Sequence, residues 1–175
     1  MRYLYAFLAL FAMLAPAGAG ELKPVKGALM AGDFVTQDLK GQTARFNTLQ
    51  GKVVLLNFWA TWCTTCRKEL PSMEALHQAY KNQGLVVLAV SQDRASARSV
   101  QAYAEELKLS FQVWHDRDGL IGRQYGIPGV PASYLIGADG RIAYRVLGEY
   151  DWYGTEARAA VETLLAARFT LNKPR

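Results

Sequence analysis

The stretch Val53-Val54-Leu55-Leu56-Asn57-Phe58-Trp59 runs directly into Ala60-Thr61-Trp62-Cys63-Thr64-Thr65-Cys66. The first seven residues are almost continuously apolar and rich in β-formers, the pattern of a central strand covered on both faces. From Thr64 to Asn82 the apolar positions Cys66, Leu70, Met73, Leu76 and Tyr80 recur in steps of three and four, one face of a helix, with Gly84 just past its end. Cys63 and Cys66 therefore stand where a buried strand passes into a helix, and they are the only cysteines in the chain. Unpaired amides and the positive end of the helix dipole favour a thiolate at such a junction. Cysteines three apart there can close a small disulfide, the first exposed at the helix tip and the second tucked behind it.

Other chemistries fit less well. A structural zinc site wants four ligands, and there are no further cysteines, while His77 and His115 are single and far apart in sequence. Haem attachment requires a histidine after the second cysteine, where Arg67 stands. A purely structural bridge would close a loop too small to contribute much stability. The favoured reading is a redox-active pair.

Working outward, Phe34-Val35 and Arg45-Phe46 flank Lys40-Gly41-Gln42 and predict a short hairpin before the main sheet. Pro71 lies inside the first helix, where it removes an amide and predicts a kink. A second apolar strand spans Leu85 to Val90. A helix follows with Val100, Tyr103 and Leu107 on one side, then a strand from Phe111 to Trp114 and a short helix from Asp118 to Tyr125. Ala132–Ile136 and Arg141–Leu147 are joined through Asp139-Gly140, a tight hairpin. The last helix, Thr155 to Arg168, turns Ala157, Ala160, Val161, Leu164 and Leu165 inward. Alternating strands and helices with a closing hairpin give an α/β sandwich on a mixed sheet.

The 175 residues suffice for one domain, and 51% hydrophobic against 20% charged residues fits a globular core. Met1-Arg2, the apolar run Tyr3–Ala15, Pro16 and the small residues Ala17-Gly18-Ala19 read as a secretory leader cleaved after Ala19. The run is short for a membrane span, although an uncleaved anchor is the alternative. Residues 20–32 are expected to be a flexible lead-in and 33–170 the folded domain. Net charge is +5, or +4 without Arg2, and the basic residues are scattered, which argues against a nucleic-acid partner.

Phe58-Trp59-Ala60-Thr61-Trp62-Cys63-Thr64-Thr65-Cys66-Arg67-Lys68-Glu69-Leu70-Pro71 resembles the active-site segment of thioredoxin-fold proteins, and most closely the exported TlpA/ResA-like branch. Gly51–Asn57, Tyr125–Pro131 and Tyr134–Arg141 resemble the same branch, so the likeness spans about residues 30–165. It implies a thioredoxin-like α/β sandwich with an N-terminal β-hairpin extension, acting as a thiol–disulfide oxidoreductase outside the cytoplasm, periplasmic or membrane-anchored. Cys63 would be the attacking thiolate and Cys66 the resolving thiol, with the Cys63–Cys66 disulfide as redox group and no other cofactor. Pro131 would be the cis-proline facing the sulfurs, bringing the Val130 backbone beside them as a substrate edge. Trp62 would border the sulfurs, while Trp59 is expected in the core.

Glu69, one turn beyond Cys66 on the same face, is the candidate proton carrier if burial raises its pKa. Cytosolic thioredoxins carry an acid on the central strand where this chain has Asn57, and Glu69 matches the active-site glutamate of ResA-like proteins. His77 and His115 read as non-catalytic. The resemblance further implies a monomeric reductase that acts on disulfides in exported proteins and draws electrons from a membrane thiol carrier. Apocytochrome c and copper-delivery proteins are candidate substrates, although Ala132-Ser133 after the proline departs from the cytochrome c maturation pattern. Thr64-Thr65 departs from the family's frequent proline and leaves the electron direction open. Alternatives are a thiol oxidant and a soft-metal, copper-binding module.

Overall fold

In the computed structural model, which describes residues 20–171, Val53–Trp59 forms a strand with every residue buried. Its side chains alternate strictly between two cores. Val53, Leu55 and Trp59 enter one apolar cluster, and Val54, Leu56 and Phe58 enter the other. Asn57 falls by this parity on the same face as Leu55 and Trp59.

The strands are β1 (Lys23–Pro24), β2 (Val35–Asp38), β3 (Thr43–Arg45), β4 (Val53–Trp59), β5 (Leu85–Ser91), β6 (Gln112–His115), β7 (Ala132–Ile136) and β8 (Ile142–Leu147). The helices are α1 (Thr64–Tyr80), α2 (Ala97–Glu106), α3 (Leu120–Gln124) and α4 (Thr155–Leu171). One sheet holds all eight strands in the order β1-β8-β7-β4-β5-β6-β2-β3. β4, β5 and β6 run parallel, β7 pairs antiparallel with β4, and β8 pairs antiparallel with β7. The thioredoxin-like sandwich on a mixed sheet is therefore present. The cluster on the Leu55 face takes Leu70, Met73 and Leu76 from α1 and Ala157, Val161 and Leu165 from α4. The opposite cluster takes Phe34, Trp114, Ile121 and Tyr134.

One expectation is corrected. Residues 20–32, expected as a flexible lead-in ahead of the domain, instead join its sheet: β1 pairs with β8, Leu22 is buried, and Met30 bridges to Arg141. Leu22 and Val25 supply apolar surface that the sheet edge buries, a pattern too short to register as a strand in the sequence. The expected β2–β3 hairpin is present and joins the main sheet through β6, anchored by Phe34 stacked on Phe46 at 4.8 Å. The helix α1 runs through Pro71 and ends at Tyr80, followed by one 3-10 turn closed by Gly84 at φ 105°. The expected leader, residues 1–19, lies outside the described residues.

Candidate active site

The end of β4 delivers Cys63 to the N-cap of α1, in extended conformation with φ −88° and ψ 105°. A helix start leaves amides without intrahelical partners, and one of them, Cys66 N–H, donates to Cys63 Sγ at 3.1 Å. Thr65 Oγ1 lies 3.4 Å from the same sulfur. Cys63 and Cys66 are joined by a disulfide with Cα atoms 5.2 Å apart. Cys66 is fully buried and Cys63 is only 6% exposed, so the first sulfur is less open than its place at the helix tip suggested. Exposed Trp62 (70%) stands beside it, whereas Trp59 is fully buried. No acid occupies the first turn of α1. The nearby Arg67 is engaged elsewhere, 2.6 Å from Glu106 and over the Tyr103 ring.

One turn into α1, Glu69 points toward the sheet with 2% exposure. Asn57 Nδ2 donates to Glu69 Oε1 at 2.7 Å and to Ser133 Oγ at 2.9 Å, and Tyr150 N–H donates to Oε2 at 3.2 Å. Burial, the dominant influence, pushes the Glu69 carboxyl up to about 8. The bonds from Asn57 and Tyr150 pull it down, and the charge of Glu149 raises it. Sheet register explains the cluster: Asn57 on β4 lies opposite Ser133 on β7. Both carry the parity of the α1-facing residues Leu55 and Leu135. Asn57 Oδ1 is buried with no protein partner.

The Val130–Pro131 peptide bond is cis. It stands at the start of β7, beside the C-terminal end of β4, since Ala132 pairs with Phe58. On the other flank, β5 continues into Asp93, whose carboxylate holds the loop before the cysteines. Asp93 Oδ2 accepts from Thr61 N–H at 3.0 Å and Ser91 Oγ at 2.7 Å, and Oδ1 accepts from Thr61 Oγ1 at 2.6 Å. His115 Nε2 lies 2.8 Å from the Asp93 carbonyl oxygen. His77, on α1, has its pKa lowered by burial.

All six sequence candidates thus sit at one end of the sheet. Cys63, Cys66 and Glu69 are on α1 or its cap, Trp62 is beside them, and Val130 and Pro131 lie across from β4. The sequence does not mark Ser133, Tyr150 or Asp93 as members of the site. Ser133 and Asp93 are polar residues in or just after apolar strands, a signal that parity could have turned into a site assignment. Tyr150 contributes only a backbone amide, for which side-chain identity carries no signal. Among the described residues, no group of three or more His, Cys, Asp or Glu side chains converges as a metal site.

Residues 28–145 match the AhpC/TSA family. The chain is 37% identical over 119 residues to "Thiol-disulfide oxidoreductase ResA" of Bacillus thuringiensis subsp. konkukian (strain 97-27), a match covering 68% of each. It is similar, at 28% identity and a TM-score of 0.70, to the thioredoxin domain of a thiol-disulfide oxidoreductase from Bacteroides vulgatus, over 81% of this chain and 99% of that one. A secreted Mycobacterium tuberculosis disulfide oxidoreductase homologous to E. coli DsbE aligns with a TM-score of 0.61 and 27% identity, over 77% of this chain and 95% of that one.

Proposed function

Because the chain belongs to the AhpC/TSA family of thioredoxin-fold proteins and is a thiol–disulfide oxidoreductase, we propose that it works outside the cytoplasm as a reductant of disulfides in exported proteins. In that cycle the Cys63 thiolate attacks a substrate sulfur. A Cys63–substrate bond forms, the substrate disulfide breaks, and one substrate thiolate leaves. Cys66 then loses its proton and attacks Cys63 Sγ, which closes the Cys63–Cys66 bond and expels the second substrate thiolate. Two electrons pass from the dithiol to the substrate, and a thiol carrier at the membrane returns them. The Cys63–Cys66 couple is the only redox group the cycle needs.

Glu69 takes the proton that Cys66 gives up. A carboxyl held near 8 in the oxidised protein keeps that proton once the disulfide has closed and returns it when the pair is recharged. Trp62 and the Val130–Pro131 edge receive the extended substrate segment.

The observation that carries the reducing direction is the sparse set of donors around Cys63. A strong thiol oxidant owes its potential to a stabilised reduced form. Here Cys63 Sγ faces one amide and one hydroxyl, while Arg67 is tied to Glu106. Such an environment supports the reading in which the disulfide is the more stable partner. The location is supported by the leader-like N-terminus and by the secreted M. tuberculosis relative.

Trapping tests the cycle. A Cys66→Ser variant incubated with an oxidised exported protein should accumulate a mixed disulfide through Cys63. The reduced unmodified chain should convert the same substrate to free thiols. No adduct and no substrate thiols would contradict the reading.

A further inference from the structure

The two flanks of the Cys63 loop differ in charge. On the β8–α4 side, Lys68 lies 3.8 Å from Glu149, and Glu149 and Asp151 add negative charge. On the β5 side the strand ends deliver arginines. Trp59 pairs with Ser91 and Ser91 with His115, so the segments after β4, β5 and β6 emerge side by side. Arg94 follows Asp93, the residue whose carboxylate grips Thr61 two positions before Cys63. Arg117 follows Asp116, whose amide donates to the Ser91 carbonyl at 2.8 Å. Arg98 stands in the first turn of α2.

All three arginines are exposed, and none has a hydrogen-bond or ion-pair partner among the described residues. Arg94 and Arg117 line one open cleft of about 410 Å³, with Asp118 as the single acid on its wall. Arg98 sits where the helix dipole disfavours a cation, and the first turn of α2 offers no acid to offset it. Buried Asp93 and Asp116 turn their carboxylates to Thr61, Ser91, Gln92 and Gly122, and among the described residues neither forms an ion pair with the arginines.

We propose that Arg94, Arg98 and Arg117 form a docking surface for an acidic segment of the substrate polypeptide, next to the disulfide that Cys63 attacks. Guanidinium groups bind carboxylates in a two-pronged geometry, and exposed unpaired ones on one flank of the loop steer a charged partner toward the sulfur. The inference rests on the reading of Cys63–Cys66 as a couple for protein disulfides, and it adds the charge of the preferred partner.

The test uses three disulfide peptides of equal length that differ only in acidic, neutral or basic flanks. Reduced protein is mixed with each, and kcat/KM is read at low and high ionic strength. The acidic peptide should outpace the neutral one about tenfold at low salt, the basic one should lag, and the differences should collapse at about 0.5 M salt. In the Arg94→Ala/Arg98→Ala/Arg117→Ala variant the acidic advantage should vanish while the neutral rate holds. Equal rates for acidic and neutral peptides, or an advantage that survives in the variant, would overturn the proposal. The same ranking is read with oxidised protein and dithiol peptides. A chain that reacts only in that direction contradicts the reductase reading while the charge ranking still stands or falls.

Discussion

Asn57 Nδ2 donates to Glu69 Oε1 across 2.7 Å, joining the central strand to the helix that carries both cysteines. The strand position supplies a neutral amide, and the titratable group arrives from the helix instead. An amide cannot exchange a proton at this site, but it holds a carboxyl able to do so, and its bond favours the charged form. The strand residue therefore sets the readiness of the helix acid to ionise.

Removing that bond should raise the Glu69 pKa further above about 8. In Asn57→Leu, loss of a hydrogen bond to a charged group corresponds to a rise of about one unit or more. Carboxyl-resolved NMR titration of the oxidised protein measures it. An unchanged or lower pKa would contradict the assignment of the bond.

Glu69 also makes stability depend on pH. Its pKa lies near 4.5 in the unfolded chain and near 8 in the folded one, so between those values the folded state binds the extra proton. Stability is therefore fully present below about 4.5 and is lost as pH rises through about 8, by at most about 5 kcal/mol. Denaturant unfolding of the oxidised protein across that range should show the fall, and Glu69→Gln should flatten it. A Glu69→Gln curve that falls as steeply as that of the unmodified chain would refute the link.

Asp93 is buried to 1% and accepts three hydrogen bonds that hold Thr61 and Ser91. Asp93→Ala leaves those donors unpaired and should lower stability by about 3 kcal/mol. Thermal and denaturant unfolding read this directly, and a loss under about 0.5 kcal/mol would show the loop is held by other means.

The two tryptophans before Cys63 should separate stability from turnover. Trp59 is fully buried and Trp62 is 70% exposed. Trp59→Ala should cost about 4 kcal/mol of stability. Trp62→Ala should leave stability within about 0.5 kcal/mol but reduce kcat/KM for a protein disulfide roughly fivefold, as loss of an aromatic contact worth about 1 kcal/mol would. A Trp62→Ala chain with full activity on protein substrates would remove that residue from the docking edge.

Much of this was legible in the sequence because period and parity are strong signals here. The apolar run Val53–Trp59 and the three-and-four spacing from Cys66 to Tyr80 are enough to place the cysteines at a strand–helix junction. Glu69 followed from its position one turn beyond Cys66. What could not be read was pairing across the sheet. Ser133 enters the Glu69 cluster only because β7 runs antiparallel to β4 in one register, and Tyr150 enters through an amide that any residue but proline would supply. The short β1 strand was missed for a related reason: two residues, Lys23 and Pro24, show no periodicity, and their pairing is set by the edge of β8.

The central claim is that the Cys63–Cys66 couple is built to give electrons. Equilibrating the folded protein against a thiol–disulfide buffer and following the free-thiol fraction yields its reduction potential. The account predicts a value near or below about −250 mV, in the range of reducing thioredoxins, and a value near about −120 mV, that of a strong oxidant, would contradict it.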